Sequence, residues 1–247
     1  CQFKGGIGTL INQITDGDLA NYSDWFEEST NMLSRLNNLF KEKPKEKPDV
    51  IITESMLSAF VDPPKEILLA RGILQSAAKH HEVLWNAPKD NWILPIRNVI
   101  GGVLLGWQEK GTTSRLFRNY PPRMQKSLSL FGYQQYQGGN MIVVESPLDV
   151  ARLTSVGVSG GVATYGTQIS STQFNAMRGA ERLIIAMDND DAGRKASYAL
   201  YDMCCEHGKE AWFFDYQHTD MKDVGGMSKV EIESGLENAK HITRGTK

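Results

Sequence analysis

Closely spaced carboxylates carry most of the chemistry that can be read from this chain of 247 residues. The run Ile184-Ile185-Ala186-Met187-Asp188-Asn189-Asp190-Asp191-Ala192-Gly193-Arg194-Lys195 is apolar for the length of a strand, then acidic, then helical in pattern. Side chains two apart on an extended segment project to the same side. Asp188 and Asp190 can therefore aim at one point beyond the carboxyl end of a buried strand, where open α/β sheets hold their ligands. Carboxylates this close repel unless a cation joins them, and oxygen donors suit Mg²⁺. A solvated acidic turn would show the same pair, so the weight falls on what flanks it. Upstream, Met141-Ile142-Val143-Val144 ends in Glu145, with Pro147 placed for the first turn of a helix. Downstream, Ala211-Trp212-Phe213-Phe214 leads to Asp220 and Asp223. Glu145, Asp149, Asp188, Asp190, Asp220 and Asp223 can thus converge from three strand ends.

The elements that must position these acids alternate. Strands are expected at 141–144, 161–163, 182–187 and 211–214. Helices are expected at 148–156, from Ser170, over 191–207, and from Ser228 to about 239. Ser170 with Gln173, and Ser228 with Glu231, have the spacing of capping boxes. This βα alternation predicts a parallel sheet with helices on both faces. Before it, 92–98 and 101–107 read as two short strands joined by a turn, and 50–90 as mostly helical. An apolar stripe from Trp25 to Phe40 has helical spacing. The charged, twice proline-interrupted stretch at 41–49 reads as a solvated linker. The expected organisation is 1–40, a linker at 41–49, a mixed α+β subdomain at 50–140, and an α/β domain at 141–247.

The chain is 40% apolar with a formal net charge of −2, which excludes a uniformly basic nucleic-acid binder. Its charge is unevenly placed. Residues 66–140 carry nine Lys/Arg against four Asp/Glu, whereas 141–247 carry eleven against fifteen. A basic segment before an acidic one fits a phosphate-holding surface beside a metal site. Within 111–127 there are four cations and no anion, and arginine forks with lysine point charges suit triphosphate and template phosphates. Cys1, Cys204 and Cys205 form no disulfide framework, and the adjacent pair reads as helix core. With no signal peptide or long apolar span, a cytoplasmic protein without membrane contact is expected. Because the chain does not begin with Met, it reads as a fragment of something longer.

Together Glu145, Ala163-Thr164-Tyr165-Gly166-Thr167, the DxDxAGRKA stretch from Asp188 and the acidic loop at 220–223 resemble the Toprim fold. Within it, the closest resemblance is to bacterial and phage replicative primases. Leu69-Ala70-Arg71-Gly72-Ile73 is similar to the family's RGI turn, and Pro95-Ile96-Arg97 opens a family-like hairpin. Lys110 stands where the family has a second Arg, and Gly102 replaces the first. Asn119 and Lys126 match the family's KYxNSP and KxxLYG elements by position, and Arg115 and Arg118 match approximately. Ser146 departs from the family's Gly.

The resemblance implies a DNA-dependent RNA primase core that makes short primers on single-stranded DNA from nucleoside triphosphates (NTPs), with a replicative helicase as partner. It implies Glu145, Asp188 and Asp190 as catalytic acids, with Asp149, Asp220 and Asp223 as further ligands of Mg²⁺ or Mn²⁺. Arg71, Arg97, Lys110, Arg115, Arg118, Asn119, Lys126, Arg194, Lys195 and Lys222 would hold nucleotide or DNA. Residues 1–14 look like the tail of the zinc ribbon that precedes such cores. Lys4 stands where a second cysteine is expected, so no zinc is expected here. Without a GxxxxGK[ST] stretch the chain carries no helicase motor of its own. The rival readings are a Toprim metal-dependent nuclease, against which the basic subdomain argues, and a non-catalytic accessory protein that binds single-stranded DNA.

Overall fold

The computed structural model describes residues 51–112 and 116–241. The expected N-terminal helix, the zinc-ribbon remnant at Cys1, the linker at 41–49 and Arg115 lie outside them. Residues 51–247 form one compact unit. It opens with a 3₁₀ turn at Glu54–Ala59 and two short helices, α1 (Lys65–Ala70) and α2 (Gln75–His80). An antiparallel sheet follows: β1 (Leu84–Asn86), β2 (Asn91–Arg97), β3 (Leu104–Gly111) and β4 (Phe117–Tyr120), in that spatial order.

The 50–90 stretch is thus less helical than its composition predicts, because Leu84–Asn86 pairs with Asn91–Trp92-Ile93. The second hairpin strand also starts later than expected, at Leu104. Gly101 and Gly102 have φ of 76° and 67° and form the turn instead. The edge strand β4 was not anticipated from the sequence. Its four residues are mostly exposed, so no apolar alternation marks them.

The second sheet is parallel, with order β6-β5-β7-β8. Its strands are β5 (Asn140–Val144), β6 (Gly161–Ala163), β7 (Arg182–Ile185) and β8 (Ala211–Phe213). Helices α3 (Pro147–Ser155), α4 (Ser171–Met177), α5 (Asp191–Glu206) and α6 (Lys229–Glu237) connect or close them. Both capping boxes form: Ser170 with Gln173, and Ser228 with Glu231.

Strand alternation sorts the core onto two faces. Met141, Val143, Leu183 and Ile185 pack with Phe174, Leu200 and Cys204 of α4 and α5. Ile142, Val144 and Ile184 pack with Leu148 and Leu153 of α3 and Ile232 of α6. Helices therefore cover both faces. The second cluster runs on without a break into Leu68, Trp85, Trp92, Leu94 and Ile96, so the two sheets share one core. Bridges at Asn98–Ser129 and Phe131–Ala163, and the Tyr165 hydroxyl donating to the Pro95 carbonyl at 3.0 Å, fasten one sheet to the other.

Candidate active site

In the parallel sheet the chain goes from β5 outward to β6 on one side and then returns to β7 on the other. The crevice between the ends of β5 and β7 is therefore the switch point at which such sheets bind ligands. Glu145 leaves β5 and Asp188 leaves β7 at this crevice. One Glu145 carboxylate oxygen accepts from the Asp188 N–H at 3.3 Å. Burial, and then repulsion from Asp188, push the Glu145 carboxyl up to about 7. Burial likewise raises Asp188.

Asp190 has a different task. It caps α5, accepting from the Gly193 N–H at 2.8 Å, and that bond holds its carboxyl below the usual range. A Cβ on Gly193 would collide with the Asp188 carbonyl oxygen, which is why glycine stands where this helix meets the acidic turn. The Lys222 ammonium lies 3.1 Å from Asp188 and 3.0 Å from Asp190. These bonds raise its pKa. Its loop is held in place by the Asn189 N–H donating to the Lys222 carbonyl at 2.6 Å.

Asp149 sits in the first turn of α3, 4% exposed, with Gly225 packed against its carboxyl. Burial, with Asp223 adding repulsion, raises its pKa well above the ordinary value. Asp223 caps the short turn Val224–Gly226, accepting from the Gly226 N–H at 2.9 Å.

A cavity of about 600 Å³ opens over these acids. Glu145, Asp149, Asp188 and Asp223 line it on the parallel-sheet side, and Arg71, Gln108, Lys110, Phe117, Asn119 and Lys126 line it from the earlier part of the chain. Gln108 and Lys110 share one face of β3, and Phe117 and Asn119 share one face of β4. The Gln108 amide donates to Asn119 Oδ1 at 3.4 Å. Lys110 reaches Ser146 Oγ at 3.5 Å and lies 5.3 Å from the Phe117 ring centroid. Burial lowers the Lys110 pKa, with the Asp149 carboxylate opposing that shift. The Lys126 ammonium donates to the Tyr165 carbonyl at 3.3 Å. Tyr165 adopts φ 61° in the loop after β6.

The structure leaves several expected site residues elsewhere. Arg97 does not line this cleft: its guanidinium bonds Glu54 at 2.6 and 2.9 Å and Glu82 at 2.6 Å. Arg118 lies between Phe117 and Asn119, so alternation turns it to the other face of β4. Arg194 pairs with Asp191 at 2.6 Å, and neither it nor exposed Lys195 lines the cavity. Asp220 is exposed and also outside the lining.

Gln108, Phe117, Ser146 and Tyr165 line the cleft without having been expected as binding residues. The Gln108-x-Lys110 and Phe117-x-Asn119 spacings carried that signal once two strands are assumed. Among the described residues, no three or more His, Cys, Asp or Glu side chains form a ready cage for a metal ion. Glu145, Asp149, Asp188 and Asp223 come to one cavity, Lys222 holds the point that Asp188 and Asp190 share, and Asp220 lies outside the lining. The donor chemistry still fits a hard divalent cation: every acid offers oxygen, and a positive charge already bridges two of them.

A family model described as Toprim-like matches residues 142–225. The primase fragment of the bacteriophage T7 primase-helicase protein superimposes with a TM-score of 0.61 at 19% identity, covering 80% of this chain and 82% of that one. The fold is that of a primase catalytic core. DNA primase from Neisseria meningitidis serogroup A is 25% identical over 200 residues, covering 75% of this chain and 33% of that protein. DNA primase from Halalkalibacterium halodurans is 32% identical over 125 residues, covering 47% and 21%. The chain therefore spans a third or less of the length of these relatives. No helix among the described residues is long and apolar enough to cross a membrane.

Proposed function

We propose that this chain is the polymerising core of a DNA primase, making short RNA primers on single-stranded DNA from nucleoside triphosphates. The observation that carries the reading is the cleft itself. Buried and half-buried acids at two neighbouring strand ends face Arg71, Lys110, Asn119 and Lys126 across one cavity. Acids suit a cation, and amines and a guanidinium suit phosphates.

In the reaction a primer 3′-hydroxyl attacks the α-phosphate of a triphosphate, the new ester bond forms, and pyrophosphate leaves. Glu145, Asp188 and Asp190 would hold Mg²⁺ or Mn²⁺, with Asp149 and Asp223 close behind them. Such an ion, when bound, stabilises the attacking and leaving oxygens of an in-line displacement. Arg71, Lys110 and Lys126 would fix the triphosphate and template backbone, and Asn119, tied to Gln108, would orient a sugar or phosphate oxygen. Lys222 would add charge from the parallel-sheet side. A replicative helicase as partner is supported by likeness to a fragment of a primase-helicase protein.

Incubation with single-stranded DNA, labelled ribonucleotides and Mg²⁺ or Mn²⁺ tests the reading. Oligoribonucleotide products that disappear in Glu145→Gln are expected. Shortened DNA without such products would make the protein a nuclease, and binding without either product would make it an accessory protein.

A further inference from the structure

Lys222 occupies an unusual position for a phosphate-binding residue. Its ammonium bridges Asp188 and Asp190 at 3.1 and 3.0 Å, so it neutralises the two acids that a divalent cation would use. The side chain itself is largely solvent-exposed, at 60%, whereas that of Asp188 is at 17%. A half-buried carboxylate is thus served by a cation that remains largely in water and can leave readily. The anchor is the backbone: the Lys222 carbonyl accepts from Asn189, so the loop stays beside the acidic turn wherever the amine points. Asp190 keeps its cap bond to Gly193 with or without the amine. Neither α5 nor the loop therefore has to rearrange when the amine departs.

We propose that Lys222 is the resident counter-ion of this acidic turn and is exchanged against the divalent cation. With no cation bound, its ammonium holds Asp188 and Asp190 together against their mutual repulsion. When the cation enters, the ammonium is displaced while its loop stays fixed, leaving a positive charge at the rim of the same cavity, which Lys222 also lines. That charge then faces the incoming triphosphate. Cation entry and nucleotide binding are coupled through one side chain: cation and lysine compete for the acids, and the triphosphate rewards the lysine for yielding. The inference rests on the proposed metal role of these acids and deepens it.

The test is Mn²⁺ binding to the full chain, by electron paramagnetic resonance or calorimetry, in the parent, Lys222→Gln, Lys222→Arg and Asp188→Asn. An uncharged residue at 222 removes the competitor, so Lys222→Gln should bind Mn²⁺ alone more tightly, of the order of tenfold, within the range of ordinary coupling between sites. Lys222→Arg, which keeps the charge, should stay near the parent. Adding a triphosphate should tighten Mn²⁺ binding in the parent and do so less in Lys222→Gln. Equal or weaker Mn²⁺ binding by Lys222→Gln, with Asp188→Asn impaired, would overturn the exchange while leaving the metal role of the acids standing. Unchanged Mn²⁺ binding in Asp188→Asn would instead remove the metal reading on which the exchange rests. Because the Lys222 side chain is exposed and its anchor is backbone, its variants should fold, and circular dichroism checks this.

Discussion

At the scale of single residues, the acidic turn shows local propensity yielding to a close approach. Gly193 lies in the first turn of a sixteen-residue helix, where alanine would ordinarily gain about 1 kcal/mol over glycine. Here a Cβ would meet the Asp188 carbonyl oxygen, which is backbone and cannot swing aside. Gly193→Ala should therefore destabilise the protein despite the better helix former, by about 1–3 kcal/mol or more, the usual cost of forcing extra volume into a packed site. Urea denaturation measures this, and a neutral or stabilising result would mean that α5 and the turn can separate freely. Because the shift must displace Asp188 or the cap at Asp190, Mn²⁺ affinity should fall along with stability. The glycine of this motif is thus explained by packing against the acids, with no phosphate contact needed.

At the scale of elements, α2 and α3 meet through a histidine that the chemistry does not use. His81, just beyond α2, is 5% exposed, and its Nε2 lies 2.7 Å from Thr154 Oγ1 on α3. The neighbouring rings are His80 at 4.8 Å and Phe131 at 5.8 Å. Burial, with the charge of His80 adding to it, pushes the His81 imidazole down to about 4. The unfolded chain, with an ordinary value near 6.5, takes up the proton first. Stability is therefore full above about pH 6.5 and is lost as the pH falls towards 4, by roughly 3 kcal/mol at most. His81→Gln keeps a hydrogen-bonding group but not the titration, so the parent should lose more stability than this variant between pH 7 and 4. Parallel pH profiles for the two would remove the effect.

The same scale shows what could be read beforehand. The strands β5, β7 and β8 announced themselves by apolar runs closing in acids, and α4 and α6 by their capping boxes, because those signals are local. The short strand Leu84–Asn86 and the edge strand Phe117–Tyr120 depend on partners in β2 and β3, and no local pattern marks them. The pairing of Arg97 was hidden for a related reason: its partners Glu54 and Glu82 are 43 and 15 residues away, and only the fold brings them together. Among the acids, Glu145 and Asp188 were legible as strand ends. The capping duty of Asp190 was hidden behind its spacing from Asp188.

At the scale of the whole molecule, the cleft is built by two sheets that share a core, so its geometry depends on how firmly the first is held to the second. Arg152 on α3 is one fastening. Its guanidinium donates to the Gly72 carbonyl at 2.6 Å, and to the Met227 carbonyl at 2.8 and 3.2 Å. Gly72 follows Arg71, which lines the cleft, and Met227 ends the turn that Asp223 caps. Three parts of the site are thereby tied to one side chain three residues from Asp149, and none of this involves contact with the cavity. Arg152→Met should strand two carbonyls. Hydrogen bonds to charged groups contribute about 1.5–3 kcal/mol each, so a loss of at least 2 kcal/mol is expected. Because the sheets share a core, the loss should not be confined to α3. Hydrogen exchange of β2 and β5 amides should show one common opening free energy in the parent, and a common lower one in Arg152→Met. Nucleotide affinity should weaken as well, through the displaced Arg71, while Mn²⁺ binding to Glu145 and Asp188 changes less. If β2 opened independently of β5 in the parent, the two sheets would be separate folding units. The cleft would then be a contact between them, with no shared core to set its shape.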